Sequence, residues 1–217
     1  MKILAIGAHL DDIELSCGGF LAKASFLGHD INMLVLSDSS YKNYDGKILR
    51  TKKQALFEGK NAAKKLKVKK LKILNLQTKK ITFDYKTVEA IEKEINIFKP
   101  DLILSHWPYD NHQDHMNTAL STLAAVRYYH NVLIFEPFPP SNQTIEVFKP
   151  QLFADITEFI DQKIAAIKEH RSQYQKYGSR WVDDIYARAS FRGAEIGYKY
   201  AESFQVVRLD ADQVKLL

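Results

Sequence analysis

Two short segments hold most of the residues able to do chemistry: His9-Leu10-Asp11-Asp12-Ile13-Glu14, and the stretch from His106 through Asp110 and His112 to Asp114-His115. Together they supply four histidines (His9, His106, His112, His115) and four aspartates (Asp11, Asp12, Asp110, Asp114). Imidazole nitrogens and carboxylate oxygens suit zinc or a similar divalent ion, and a catalytic site typically uses three protein ligands and keeps one position open for water. Without a cation, so many acids in one place would repel one another, and some would have to take up protons. A water whose pKa is lowered toward neutrality, beside a carboxylate base, is equipped to hydrolyse an amide or an ester. Taken singly, each residue has a plainer explanation: a histidine after a strand more often packs or caps, and Asp11-Asp12 could cap a helix. The pairing of HxDDxE with HxDH, each following an apolar run, points instead to a shared metal site.

The elements that must bring these segments together are legible as alternating patterns. Short, mostly apolar runs at residues 3–6, 31–36, 71–74, 102–104 and 132–135 read as strands covered on both faces. Helical patterns lie between them, the clearest having Val88, Ile91, Ile95 and Phe98 on one stripe before the Lys99-Pro100-Asp101 turn. This rhythm predicts an α/β, Rossmann-like three-layer fold with a mostly parallel sheet and right-handed crossovers. In a 3-2-1-4-5 strand order the first and fourth runs are neighbours across the switch point, where open sheets bind ligands beyond their strands' carboxyl ends. Both segments would then line one crevice. After residue 135 the pattern predicts a Pro-rich loop, a short strand at 151–154, helices at about 157–174 and 186–200, and a strand near 203–207.

Composition limits the alternatives. The 217 residues are 46% hydrophobic and 26% charged, which suits one domain spanning 1–217 able to bury a core and carve a pocket. The N-terminal apolar run is too short to span a membrane, and Asp11-Asp12 stand where a signal peptide needs small neutral residues, so a cytoplasmic chain without stable membrane insertion is expected. Cys17 is the only cysteine, so any metal site must rely mainly on His and carboxylates. The net charge is +5, with seven lysines between Lys60 and Lys72. Ala55, Gly59, Ala62, Ala63 and Leu66 recur at helical spacing beside them, and no aromatics interleave to stack bases. The lysines therefore read as a solvated face rather than a nucleic-acid surface. A dinucleotide enzyme would need a Gly-rich phosphate turn where this chain has Gly-Ala-His-Leu-Asp-Asp.

The segment AHLDDIELSCGG resembles the AHPDD signature of the LmbE-like, or PIG-L, deacetylases, and His112-Gln113-Asp114-His115 resembles that family's HxDH motif. GHDINMLVLSD, KNAAKKLKV, the helix from Lys163 to Gln173 and RGAEIGYKYAESF also resemble family segments in family order. The resemblance implies one zinc ion per chain bound by His9, Asp12 and His115. It implies Asp11 as general base, His112 as the group that polarises the carbonyl or stabilises the oxyanion, and Asp114 as the residue that orients it. The implied reaction is removal of an N-acetyl group, most often from glucosamine on a lipid, inositol or other carrier. Tyr109-Asp110 before the second motif resembles members from surface-polysaccharide pathways, which suggests a nucleotide- or lipid-linked sugar. Leu10 stands where the signature usually has Pro, and Ser16 where Gly is common; neither change removes a donor atom. Arg50, Asp110 and Arg192, with Asp38, Tyr109 and Glu202, are candidates for the substrate rim. A binding protein that keeps the metal without hydrolysis, or a deacylase of a non-sugar amide, are the alternatives. The C-terminal helices either cover the sheet or build a homo-oligomer.

Overall fold

The computed structural model describes residues 1–212. Strand β1 (Lys2–Gly7) is buried along almost its whole length, with Ile3 and Ala5 in one core and Leu4 and Ile6 in the other. Strand β2 (Asp30–Ser37) divides in the same way, Ile31, Met33 and Val35 to the first core and Leu34 and Leu36 to the second. Alternation across a pleat therefore feeds two apolar layers, which is why these strands read as continuous hydrophobic runs. Helices α1 (Asp12–Phe26) and α2 (Lys52–Lys65) supply residues to the first core, and α3 (Tyr85–Phe98) and α4 (Gln113–Ala125) to the second. The result is the expected helix–sheet–helix arrangement.

Strands β5 (Lys70–Leu76), β6 (Leu102–Ser105) and β7 (Val132–Phe135) complete the parallel part, and β8 (Leu152–Asp155) and β9 (Ala201–Arg208) add two antiparallel strands. The seven-stranded sheet has the order β5-β2-β1-β6-β7-β9-β8. Its parallel portion is the expected 3-2-1-4-5, and β1 pairs directly with β6. The β1–α1 loop and the β6–α4 loop are thus neighbours at the switch point.

Four local features differ from expectation. Strand β5 lies at the edge of the sheet and has no fully buried residue, so it is not covered on both faces. A small hairpin, β3 (Tyr41–Lys42) and β4 (Ile48–Arg50), follows β2; such short strands carry no readable alternation. The helix expected over 157–174 is two, α5 (Ile160–Lys168) and α6 (Arg171–Tyr177). The break falls at His170, which is fully buried between Arg50 and Glu14. Helix α7 runs Ser179–Ile196 rather than 186–200, because Trp181, Val182, Ile185 and Ala189 form its buried stripe and Gly197, at φ 77, ends it. No helix among the described residues is long and apolar enough to cross a membrane.

Candidate active site

The β1–α1 loop is the most strained backbone in the site. Asp11 has φ 144, a region that costs a non-glycine residue energy and persists only where neighbours hold it. Those neighbours are identifiable. The Leu10 N–H donates to Ser39 Oγ at 2.8 Å, and the Leu10 carbonyl accepts from Arg50 Nη1 at 3.0 Å. The His9 N–H donates to Asp12 Oδ2 at 2.7 Å. The Leu10 side chain packs so closely on helix α2 that a Cβ on Gly59 would lie 2.4 Å from Leu10 Cδ2. A proline at position 10 would lack the N–H that Ser39 receives, so packing and a hydrogen bond here do the stiffening that a ring would do.

Four possible ligand atoms from three residues converge beside this loop. His9 Nδ1 lies 3.2 Å from His115 Nε2 and 3.5 Å from Asp12 Oδ2, and His115 Nε2 lies 3.3 Å from Asp12 Oδ1. Tetrahedral zinc with bonds of about 2.0–2.1 Å has donor-to-donor edges of about 3.3 Å. Each ring's other nitrogen is held by a carboxylate, His9 Nε2 by Asp114 at 2.9 Å and His115 Nδ1 by Asp110 at 2.9 Å. This is the outer-partner arrangement that fixes a ligating imidazole's tautomer and aim. The donor set fits a divalent ion of the zinc type.

Two other combinations, His9-His112-His115 and Asp12-His106-His115, also bring ligand atoms together. The remaining bonds argue against them. His106 is buried, and its Nε2 accepts from the Ala8 N–H at 3.0 Å, with Asp12 Oδ2 3.1 Å away. His112 caps helix α4, its Nδ1 accepting from the Asp114 N–H at 3.2 Å. That bond leaves Nδ1 unprotonated and puts the ring proton on Nε2. His112 stacks on His115 with ring centroids 4.4 Å apart and lines the cavity.

The electrostatics agree with this division. Burial opposes charge on His9 and His115, yet the Asp12 carboxylate and bonds to Asp114 and Asp110 outweigh it and raise them to about 9 and about 10. Asp12 is held well below the usual carboxylate range: burial pushes it up, and the charges of His115, His9 and His106 push it down further. Burial, with the nearby cations of His115 and His9, lowers His112 to about 4. Burial lifts Asp11 to about 6, Arg50 opposing the rise and Asp12 adding to it. The carboxylates thus favour positive charge between the facing rings, which is what a divalent cation there would supply.

The site opens into a cavity of about 860 Å³. Its walls come from the hairpin (Tyr41, Lys42, Tyr44), the 137–141 loop with Phe138, and helices α6 and α7 (Lys176, Tyr177, Arg180, Trp181). Lys176 Nζ lies 5.3 Å from the Tyr41 ring centroid and 4.6 Å from that of Tyr177. These wall residues had no signal in the sequence beyond being aromatic or basic.

The expected rim residues divide. Arg50 lines the cavity but is only 1% exposed, bonded to Glu58, His170 and the Leu10 carbonyl, with Asp11 Oδ2 at 3.9 Å. Asp110 is likewise buried, accepting from the His112 N–H at 2.7 Å while it holds His115. Asp114 accepts from the Lys79 and Ile81 N–H groups and meets His9; its carboxylate is on that ring rather than on His112 as expected. Arg192 is away from the cavity lining, in a bidentate pair with Glu136 at 2.7 and 2.9 Å. Glu202 is buried against Lys163. Asp38 and Tyr109 are also absent from the cavity wall. Charge alone does not distinguish a substrate contact from an internal partner, so these assignments needed the packing.

The family model for the GlcNAc-PI de-N-acetylases, PIG-L, matches residues 4–126, which include both motifs. The chain is 28% identical over 221 aligned residues to the diacetylchitobiose deacetylase of Thermococcus kodakarensis, covering 95% of this chain and 83% of that protein. The N,N'-diacetylchitobiose deacetylase from Pyrococcus horikoshii superposes with a TM-score of 0.80 at 22% identity, covering 98% of this chain and 88% of that one. GalB, the 4-carboxy-2-hydroxymuconate hydratase of Pseudomonas putida KT2440, superposes equally well, at 0.80 and 21% identity over 97% of both chains. The two structural likenesses show a shared fold, and their different reactions show that the fold does not fix the chemistry. The match over residues 4–126 does establish kinship: the chain belongs to the PIG-L family.

Proposed function

We propose that this PIG-L family member removes the N-acetyl group from an N-acetylglucosamine-type sugar by metal-dependent hydrolysis. The observation that carries the reading is the convergence of His9 Nδ1, Asp12 and His115 Nε2 within 3.2–3.5 Å, with Asp11 and His112 on the same cavity wall. His9, Asp12 and His115 would hold one zinc ion, which when bound supplies Lewis acidity toward a water and the acetyl carbonyl. Asp11 accepts the proton of the attacking water at its carboxylate, which Arg50 and the Leu10 loop hold in place. The His112 Nε2–H donates to the carbonyl oxygen as it becomes anionic. The C–N bond breaks as Asp11 returns the proton to the amine, and acetate and the free amino sugar leave. Asp110 and Asp114 orient His115 and His9.

The carrier on the sugar is proposed to be anionic, a nucleotide- or lipid-linked sugar of surface-glycan synthesis. Lys42, Lys176 and Arg180 on the cavity wall support this, as does an aromatic wall able to face a sugar ring. A single buried cysteine with no disulfide among the described residues suits a reducing, cytoplasmic setting.

The test is acetate release from N-acetylglucosamine, its inositol- and nucleotide-linked forms and diacetylchitobiose, using protein stripped of metal and reloaded with zinc. Zinc-dependent release, abolished in His115→Ala, is expected. Stoichiometric zinc binding without release from any sugar would favour a non-sugar amide or a non-hydrolytic binding role.

A further inference from the structure

Helix α1 is broken one turn after the ligand it carries. Cys17, at φ −138 and ψ 21, lies outside the helical region and separates the turn bearing Asp12 from the segment that continues to Phe26. In a continuous helix the Gly19 N–H would donate to the Leu15 carbonyl. Here the Gly19 N–H donates to Glu202 Oε1 at 2.9 Å and the Phe20 N–H to Glu202 Oε2 at 2.6 Å. Lys163 Nζ donates to the Leu15 carbonyl at 2.7 Å and to Glu202 Oε1 at 2.6 Å.

An ion pair is thus inserted into the helical ladder. The ammonium takes the carbonyl released at the end of the first turn, and the carboxylate takes the amides released at the start of the next segment. Each charge sits at the helix end whose dipole favours it. The pair comes from two other elements, Lys163 on α5 and Glu202 on β9, and is buried, at 3% and 4% exposure. The backbone leaves room for it. A Cβ on Gly19 would lie 2.7–2.9 Å from Ile156, and one on Gly18 would touch Lys163 Cγ at 3.4 Å. A side chain entering the ladder is a recognised cause of a helix kink. A buried pair rarely stabilises a fold over apolar replacements, so stability alone gives little reason for this one.

We infer that Lys163 and Glu202 are positioning residues for the metal site: by holding α1 broken at Cys17, they set the direction of the first turn and aim Asp12 at His9 and His115. The inference rests on the proposed ligand set. It predicts that removing the pair straightens α1 and misplaces Asp12 while the fold survives.

The experiment uses the full chain, stripped of metal. Zinc affinity is measured by competition with a chromophoric chelator, and the thermal midpoint of the metal-free protein is followed in parallel. In the double variant Lys163→Met, Glu202→Met, Gly19 N–H can return to the Leu15 carbonyl. Its metal-free midpoint is expected to stay near wild type, while zinc binds about 10- to 100-fold more weakly, the range for lost outer-shell support. Lys163→Arg keeps a donor for both acceptors and is expected to retain near-wild-type affinity. Glu202→Gln, which keeps one acceptor oxygen, is expected to fall between. If the double variant does not fold, the two conservative single variants carry the same comparison. A folded double variant, or failing that a folded Glu202→Gln, that binds zinc as tightly as wild type overturns the inference. Wild-type protein that binds no zinc, or His115→Ala that binds it undiminished, overturns the ligand set and the inference with it. His115-dependent binding in wild type with an unaffected double variant overturns the inference alone.

Discussion

At the ends of β1 and β6, the rings of His9, His106, His112 and His115 crowd against Asp12, Asp110 and Asp114. Just beyond the end of β7, Glu136 meets Arg192, Arg188 and Ser203. Both clusters bury several charges, but they are finished differently. Each Glu136 oxygen has a near partner: Arg192 at 2.7 Å on one, and Arg192 at 2.9 Å with Ser203 at 2.6 Å on the other. Arg192 also reaches Glu195 at 2.8 Å. In the first cluster two ring nitrogens face each other at 3.2 Å beside a carboxylate, an arrangement that could share a cation. The saturated cluster closes the C-terminal half of the sheet against α7. The unsaturated one is the proposed reaction site, and the strained Asp11 beside it has no counterpart around Glu136.

The largest effect that would sharpen this contrast is on turnover. Asp11→Asn should lower kcat for deacetylation by about 10²- to 10⁴-fold, the usual share of a general base, while zinc affinity and KM change little. Equal loss of zinc binding would make Asp11 a ligand instead. Asp110→Asn should weaken zinc by about 10- to 100-fold, because His115 loses the carboxylate that aims it. An unchanged dissociation constant would remove Asp110 from the metal site.

In the other cluster the readout should be stability alone. Arg192→Met is expected to cost about 3 kcal/mol in urea unfolding of the metal-free protein, the low end for breaking a buried pair, because Arg188 remains 3.5 Å from Glu136. Zinc affinity should not move, and a matching loss of affinity would break the division between the two regions. The smallest effect is a pH dependence. Burial would raise the Glu136 carboxyl, but the bonds to Arg192 and Ser203 and the charge of Arg188 hold it below the usual range. Its contribution is therefore full above an unfolded pKa of about 4.3 and fades as pH falls from there through the folded value. The stability difference between wild type and Glu136→Gln should shrink across that acid window and be flat above it. A difference that persists unchanged at lower pH would show that Glu136 is not held as an ion.

The sequence by itself carried most of the parallel half of the sheet, because strands covered on both faces are nearly all apolar, as residues 3–6, 31–36, 102–104 and 132–135 are apart from Asn32. It also carried the meeting of the two motifs, since β1 and β6 can be neighbours only if strand order reverses between them, and His9 and His115 follow those strands directly. It could not carry which charged residues face the cavity. Arg50, Asp110, Arg192 and Glu202 have the same chemistry whether they meet a substrate or one another, and partners 8, 5, 56 and 39 residues away are found only when the chain closes. The breaks at Cys17 and His170 are tertiary for the same reason. Gly18-Gly19 make a break near Cys17 permissible, but at both points buried groups from other elements, Glu202 with Lys163 and Arg50 with Glu14, take the hydrogen bonds. Motif spacing specified which atoms could hold a metal, and packing decided their separation of 3.2–3.5 Å, since Ser39 and Arg50, distant in sequence, help pin the strained loop at Asp11.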